Sequence, residues 1–142
     1  MENTSKVKQK LYKLNQQRWA LIQKIMDSGS LLSASCYDRY TKCSNPNCKC
    51  AKGERHGPFP WIYKNRKGEK LISTSCAADK VADARAFSGN YQLFKQNWKQ
   101  VKKIDSEIND LIAQLEAAKE VDAKEFTKKK EGENRGRKQK ES

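Results

Sequence analysis

Apolar residues are scarce in this chain of 142 residues: only 36% are hydrophobic, while 33% are charged. Globular domains usually draw about 45–50% of their residues from the apolar set once glycine is counted. A large enclosed core around a buried substrate cavity is therefore excluded. No stretch approaches the roughly 18 consecutive apolar residues of a membrane span. The first ten residues, MENTSKVKQK, contain no apolar signal core. A cytoplasmic protein with no membrane partner is expected, its thiols kept reduced. Histidine is nearly absent, with His56 the single example. No Ser–His–Asp set, phosphate-binding glycine loop or paired-carboxylate motif accompanies it. A lone histidine would have to serve both a metal and a nucleophile, so the chain is not expected to be an enzyme.

Basic charge is what the chain has in excess. Thirty Lys and Arg stand against 17 Asp and Glu, a net charge of +13. Such a balance favours polyanions, nucleic acid above all, because each neutralised phosphate releases a condensed counterion. The charge is unevenly placed. Residues 39–70 hold nine basic and two acidic groups, +7, whereas residues 71–120 balance seven against seven.

Periodicity divides the chain into four parts. Residues 1–28 place Val7, Leu11, Leu14, Leu21 and Ile25 at helical spacing without Pro or Gly from Ser5 onward, which predicts an amphipathic helix. Thr4 or Ser5 caps its start in this reading, and Gly29 ends it as a C-terminal glycine. Residues 29–77 lose that period. SLLSASCYDRYTK reads as a strand, CSNPNCKCAKGERHGP as a loop, and PFPWIYK and KLISTSC as a hairpin turning at Gly68. Residues 78–120 restore steps of three and four through Val81, Ala84, Phe87, Tyr91, Phe94, Trp98, Val101, Ile104, Ile108, Leu111 and Leu115, close to a heptad seam. Residues 121–142 are charged and almost without apolar side chains, so a disordered tail is expected.

The fold class that follows is α+β. Two antiparallel helices, coiled-coil-like, carry a small three-stranded antiparallel unit with a cysteine-rich loop. At about 1.5 Å per residue the second helix outreaches the first by about fifteen residues. That apolar overhang, with Ile108, Leu111, Ile112 and Leu115, predicts a homodimer through residues 101–115.

Cys43, Cys48 and Cys50 form C-x4-C-x-C, and His56 follows six residues later. Three thiols and one imidazole match a tetrahedral structural Zn2+ site in ligand type and number. Asn45, Pro46, Asn47 and Gly53 let the loop bend, and Lys42, Lys49 and Arg55 are placed to offset the charge of a three-thiolate site. Binding free energy of such a metal becomes folding free energy in a unit without a deep core. Cys76 is the reserve fourth ligand, and Cys36 reads as a packing residue. Around the cluster, Arg39, Lys42, Lys49, Lys52, Arg55, Lys64, Arg66 and Lys67 are the candidate phosphate contacts. They interleave with Tyr37, Tyr40, Phe59, Trp61 and Tyr63, a mixture suited to phosphate and base contacts. Phe59, Trp61 and Tyr63 share one strand face, which is expected to be core.

The segment RYTKCSNPNCKCAKGERHGPF resembles the core of an uncharacterised family of small prokaryotic and phage proteins. The shared positions are Arg39, Tyr40, Cys43, Pro46, Cys48, Cys50, Ala51, Gly53, His56, Gly57 and Pro58, with Asn90 and Tyr91 later. Ser44 and Asn45 stand where that pattern has Gly-Lys, Phe59 where it has Tyr, and Cys76-Ala77 where it has an apolar residue and Pro. The resemblance implies a metal-binding or nucleic-acid-associated protein, some members being encoded beside transposases. The function expected is a zinc-binding accessory protein of a mobile element or phage that contacts nucleic acid, DNA before RNA. The alternative is a non-enzymatic interaction or oligomerisation module built on the long seam.

Overall fold

A computed structural model describes residues 4–128. Two helices flank a three-stranded sheet: α1 at Thr4–Met26, β1 at Ser35–Thr41, β2 at His56–Lys64, β3 at Ile72–Ser75 and α2 at Val81–Lys119. Short 3-10 turns lie at Lys49–Lys52, Ala78–Lys80 and Ala123–Phe126. The α+β class and the antiparallel order β1-β2-β3 match the sequence reading. The expected disorder over 121–142 does not begin at 121: Asp122 accepts the Lys124 amide and caps the last 3-10 turn. Residues 129–142 of that expected tail lie outside the described residues.

The helices run antiparallel. Leu14 lies near Leu111, Arg18 bonds Asp105, and Ala20 and Lys24 lie near Leu93 and Asn97. Advancing along α1 thus means retreating along α2. Val7 on α1 and Val101, Ile104 and Leu111 on α2 are buried in the pair. Two expectations about the seam are corrected. Trp98 is not part of it; it is half exposed under the Lys102 ammonium, and Asn97 takes the inner position. The C-terminal overhang is absent too, since Leu111 is buried beside α1. The additional length of α2 lies at its N-terminal end, where it docks on the sheet.

That docking uses one sheet face. Cys36 Sγ donates to the Ala84 carbonyl at 3.4 Å, Arg85 bonds Asp38 at 2.7 Å, and Ser88 Oγ donates to the Ala34 carbonyl at 2.7 Å. Cys36 is half-buried there, as expected of a packing thiol. Side chains alternate between sheet faces, so Cys36 and Asp38 point to α2 while Tyr37 and Arg39 point away. The register pairs Tyr37 with Trp61, Arg39 with Phe59 and Ser35 with Tyr63. Phe59, Trp61 and Tyr63 therefore face outward. Their expected burial against the helices is wrong, because α2 had only one sheet face to cover and the even-numbered residues occupy it.

Glycine acts differently from expectation at α1. Ser28 closes that helix, its hydroxyl donating to the Ile25 carbonyl, and Gly29 is not left-handed. A Cβ on Gly29 would lie 3.0 Å from Asn90 Nδ2, so its missing side chain serves helix approach. Asn90 in turn donates to the Ser30 carbonyl at 3.1 Å.

Because the seam continues through Leu111, Leu111→Ala should destabilise the protein by about 2–3 kcal/mol. Ile112→Ala, one residue on and exposed, should change it by less than about 0.5 kcal/mol. Urea unfolding followed by circular dichroism distinguishes the two, and equal effects would contradict the observed seam.

Candidate metal centre and its basic surround

The cluster is assembled by a turn, a short 3-10 helix and a strand pairing. Asn45 starts the turn: its side-chain oxygen accepts the Asn47 amide and its carbonyl accepts the Cys48 amide, the local bonding that makes Asn a turn former. Cys48, in extended backbone, leads into the 3-10 segment Lys49–Lys52, which carries Cys50 inward, and Gly53 ends it at φ 106°. From the other side, Thr41 pairs with His56 across β1 and β2, so the imidazole comes level with Cys43. Gly57 permits the approach. It takes φ 138°, and a Cβ there would lie 2.8 Å from the Arg39 carbonyl oxygen.

The four ligand atoms all lie within 4.8 Å of one another. Cys43 Sγ is 3.1 Å from Cys50 Sγ, Cys48 Sγ is 2.9 Å from His56 Nε2, and His56 Nε2 is 3.3 Å from Cys43 Sγ. A tetrahedron with Zn–S near 2.3 Å and Zn–N near 2.0 Å has S···S edges of about 3.8 Å and S···N edges of about 3.5 Å. The three contacts are somewhat shorter than those edges, and no two of the four ligand atoms are farther apart than 4.8 Å, a cluster of the size a metal ion would hold. The Cys43 amide also donates to Cys50 Sγ at 3.3 Å, a contact that stabilises a thiolate and orients a ligand. Cys50 is 1% exposed, and it is the only buried residue among those of 29–77 whose burial is described. Cys3His chemistry, not an apolar core, therefore occupies the centre of this unit.

His56 rather than Cys76 completes the set. Cys76 follows β3, its amide donating to the Pro60 carbonyl and its thiol to the Ala77 carbonyl. It lines a minute gap with Cys36 and Trp61 beside α2 and is not among the clustered ligands.

The eight basic residues singled out by sequence divide into three groups. Lys42, Lys49, Lys52, Arg55 and Lys67 are exposed, and among the described residues none has a carboxylate within ion-pair distance. Lys64 and Arg66 share Glu69 at 3.1 and 3.2 Å, and these two cations hold the Glu69 carboxyl below its ordinary range, the bond from Lys64 contributing most. Arg39 instead lies over the Trp61 ring at 4.3 Å.

Sequence reasoning missed a partner of the hairpin turn. Gly68, at φ 85°, lets the Glu69 amide reach the Arg66 carbonyl. The turn then leans over α2, and Arg66 donates to the Tyr91 hydroxyl at 2.8 Å. Hydrogen bonds from Ser33 and then Arg66 hold the Tyr91 phenol below its usual value. Between them opens a cleft of about 420 Å³ lined by Asn65, Lys67, Gln92 and Lys95 among others. Lys95, which also lies over the Tyr91 ring at 4.9 Å, is 28 residues beyond Lys67, and only the packing of hairpin on helix brings the two together.

An α+β protein with a Cys3His cluster at the heart of its sheet unit is thus the class defined by fold and site. Residues 5–86 match the model of a family described as a domain of unknown function, DUF6788. That match covers more than half of the chain, so the chain belongs to this family. It spans α1 from Ser5, the whole sheet unit with all four ligands, and the first residues of α2, with Ala84 and Arg85 of the docking contacts but not Ser88. Neither the comparison with curated proteins nor that with solved structures finds a match. Among the described residues no helix is long and apolar enough to cross a membrane.

Purified protein should bind one equivalent of Zn2+, and its Co2+ form should show the absorption of tetrahedral thiolate ligation. Cys50→Ser should lose the metal and the sheet signal, whereas Cys76→Ser should keep both. Full metal content in Cys50→Ser would contradict the assignment.

Proposed function

We propose that the protein is a non-enzymatic, zinc-clipped nucleic-acid-binding module, acting in the cytoplasm as an accessory factor of a mobile element or phage. The mobile setting comes from the motif resemblance. The observation that carries the binding role is the set of five exposed cations without acidic partners, Lys42, Lys49, Lys52, Arg55 and Lys67, four of them on the loop that the Cys3His cluster fastens. A cation held in place loses less conformational freedom on binding than one on a free loop. The metal therefore serves recognition by fixing where charge is presented. Arg39, Lys64 and Arg66 are held by neighbours and extend the basic surface to the hairpin, where Lys95 joins it. DNA is the expected polyanion before RNA.

Binding should weaken steeply between 50 and 200 mM salt, a range over which several released counterions change affinity on the order of 1,000-fold. Replacing Lys42, Lys49 and Lys52 together by Gln should lower the logarithmic salt slope by about 3. Fluorescence anisotropy across a salt series measures this, and a flat response would remove the proposal.

A second reading, association of two copies through residues 101–115 in a coiled-coil-like contact, is favoured by a separate observation. Ile112 and, just outside that stretch, Trp98 are half exposed and stand two heptads apart on a flank of α2, and Tyr12, Trp19 and Met26 follow one another at single-heptad steps on α1. Light scattering at rising concentration should show a dimer that Trp98→Lys with Ile112→Lys abolishes, and a monomer at every concentration rejects this reading.

A further inference from the structure

The outward sheet face is the largest feature that the metal cluster and the free cations leave unexplained. It carries Tyr37 on β1 and Phe59, Trp61 and Tyr63 on β2, with Ser73 and Ser75 opposite them on β3. Tyr37, Phe59 and Tyr63 are 44%, 43% and 38% exposed, although each ring carries a large apolar area. No described element covers them; α2 lies against the opposite face through Cys36, Asp38 and Ala34. The one group laid over a ring is the Arg39 guanidinium on Trp61. A planar cation on an indole occupies the place that a base takes in aromatic stacking.

We propose that this face is a stacking platform for the bases of single-stranded DNA, a proposal that rests on the nucleic-acid reading and specifies its ligand. Two features select a single-stranded polyanion with bases. Charge is complementary: Lys42 follows β1, and Lys64, Arg66 and Lys67 mark the hairpin end of β2, so cations flank the rings at both ends of the sheet. Spacing selects the strandedness. Rings two residues apart on a strand stand about 6.8 Å from one another, twice the roughly 3.4 Å step along one strand of a duplex. Bases resting on Phe59, Trp61 and Tyr63 must therefore be unstacked from each other, which a duplex forbids and a single strand allows. DNA rather than RNA follows from the function proposed above, and the Ser73 hydroxyl, which accepts the Trp61 indole N–H at 3.1 Å, holds the central ring in place. Arg39 then changes role on binding, yielding the Trp61 face to a base and turning to a phosphate.

The test uses the full zinc-loaded chain and a fluorescently labelled twelve-residue oligo-dT, its duplex with oligo-dA, and oligo-rU of the same length. Oligo-dT should bind at least tenfold more tightly than the duplex and no more weakly than oligo-rU. Phe59→Ala and Trp61→Ala should each weaken oligo-dT binding on the order of 10-fold or more, while Trp61→Phe, which keeps a ring, should retain most of it. Thermal unfolding and zinc content of each variant show that the fold persists, and Tyr63→Ala serves in place of any variant that does not fold. Oligo-dT binding that survives loss of these rings yet falls with Lys42, Lys49 and Lys52, or a preference for the duplex, overturns the platform and leaves the nucleic-acid reading standing. A marked preference for oligo-rU overturns the choice of DNA. Failure of the native chain to bind any of the three overturns both.

Discussion

Four side chains converging within 4.8 Å do for the sheet unit what an apolar core does in a larger domain. Without them, the segment between the helices would have one buried residue fewer and no buried residue left among those described, because Cys50 is the only one. A three-stranded sheet with one open face buries too little apolar surface to offset the entropy of ordering a loop of this length. A structural metal held by these four side chains would supply free energy on a scale that changes the balance. The convergence depends in turn on backbone features that no other residue type tolerates well: Gly53 and Gly57 at positive φ, the latter with β1 pressed against its α-carbon.

The rest of the molecule is arranged around what that small unit does not do for itself. One sheet face is closed by the first turns of α2 through Cys36, Asp38 and the Ala34 carbonyl. The remainder of α2 pairs with α1, whose apolar stripe has nowhere else to go. The helical pair thus acts as a handle that fixes the sheet from one side and leaves its other side to solvent. On that open side stand aromatic rings and cations, the combination on which the proposed stacking of bases rests.

Much of this was legible in residue order because the signals were local. The α1 stripe, the hairpin at Gly68 and the cysteine–histidine spacing each lie within about thirty residues, and each gave an element or cluster that the fold contains. Three features were not legible. The inward face of β2 could not be chosen from alternation alone, since Phe59, Trp61 and Tyr63 on one face compete with Ile62 and Pro60 on the other, and the more aromatic set is the outer one. The overhang of α2 was assigned to its far end, because helix lengths give a difference without saying where along the pair it falls. Lys95 was read as part of a neutral helix, although the hairpin turn lies against it.

Sequence by itself determined which residues could ligate a metal, where the basic charge lies, and that two amphipathic helices bracket a short sheet. These follow from chemical type and periodicity, which act between near neighbours. Tertiary structure alone decided that His56 and not Cys76 joins the three thiols, that α2 covers the Cys36 face, and that the aromatic face is left open. Those outcomes depend on strand register and on helix docking, where a choice between two faces is settled by the whole set of contacts across the chain.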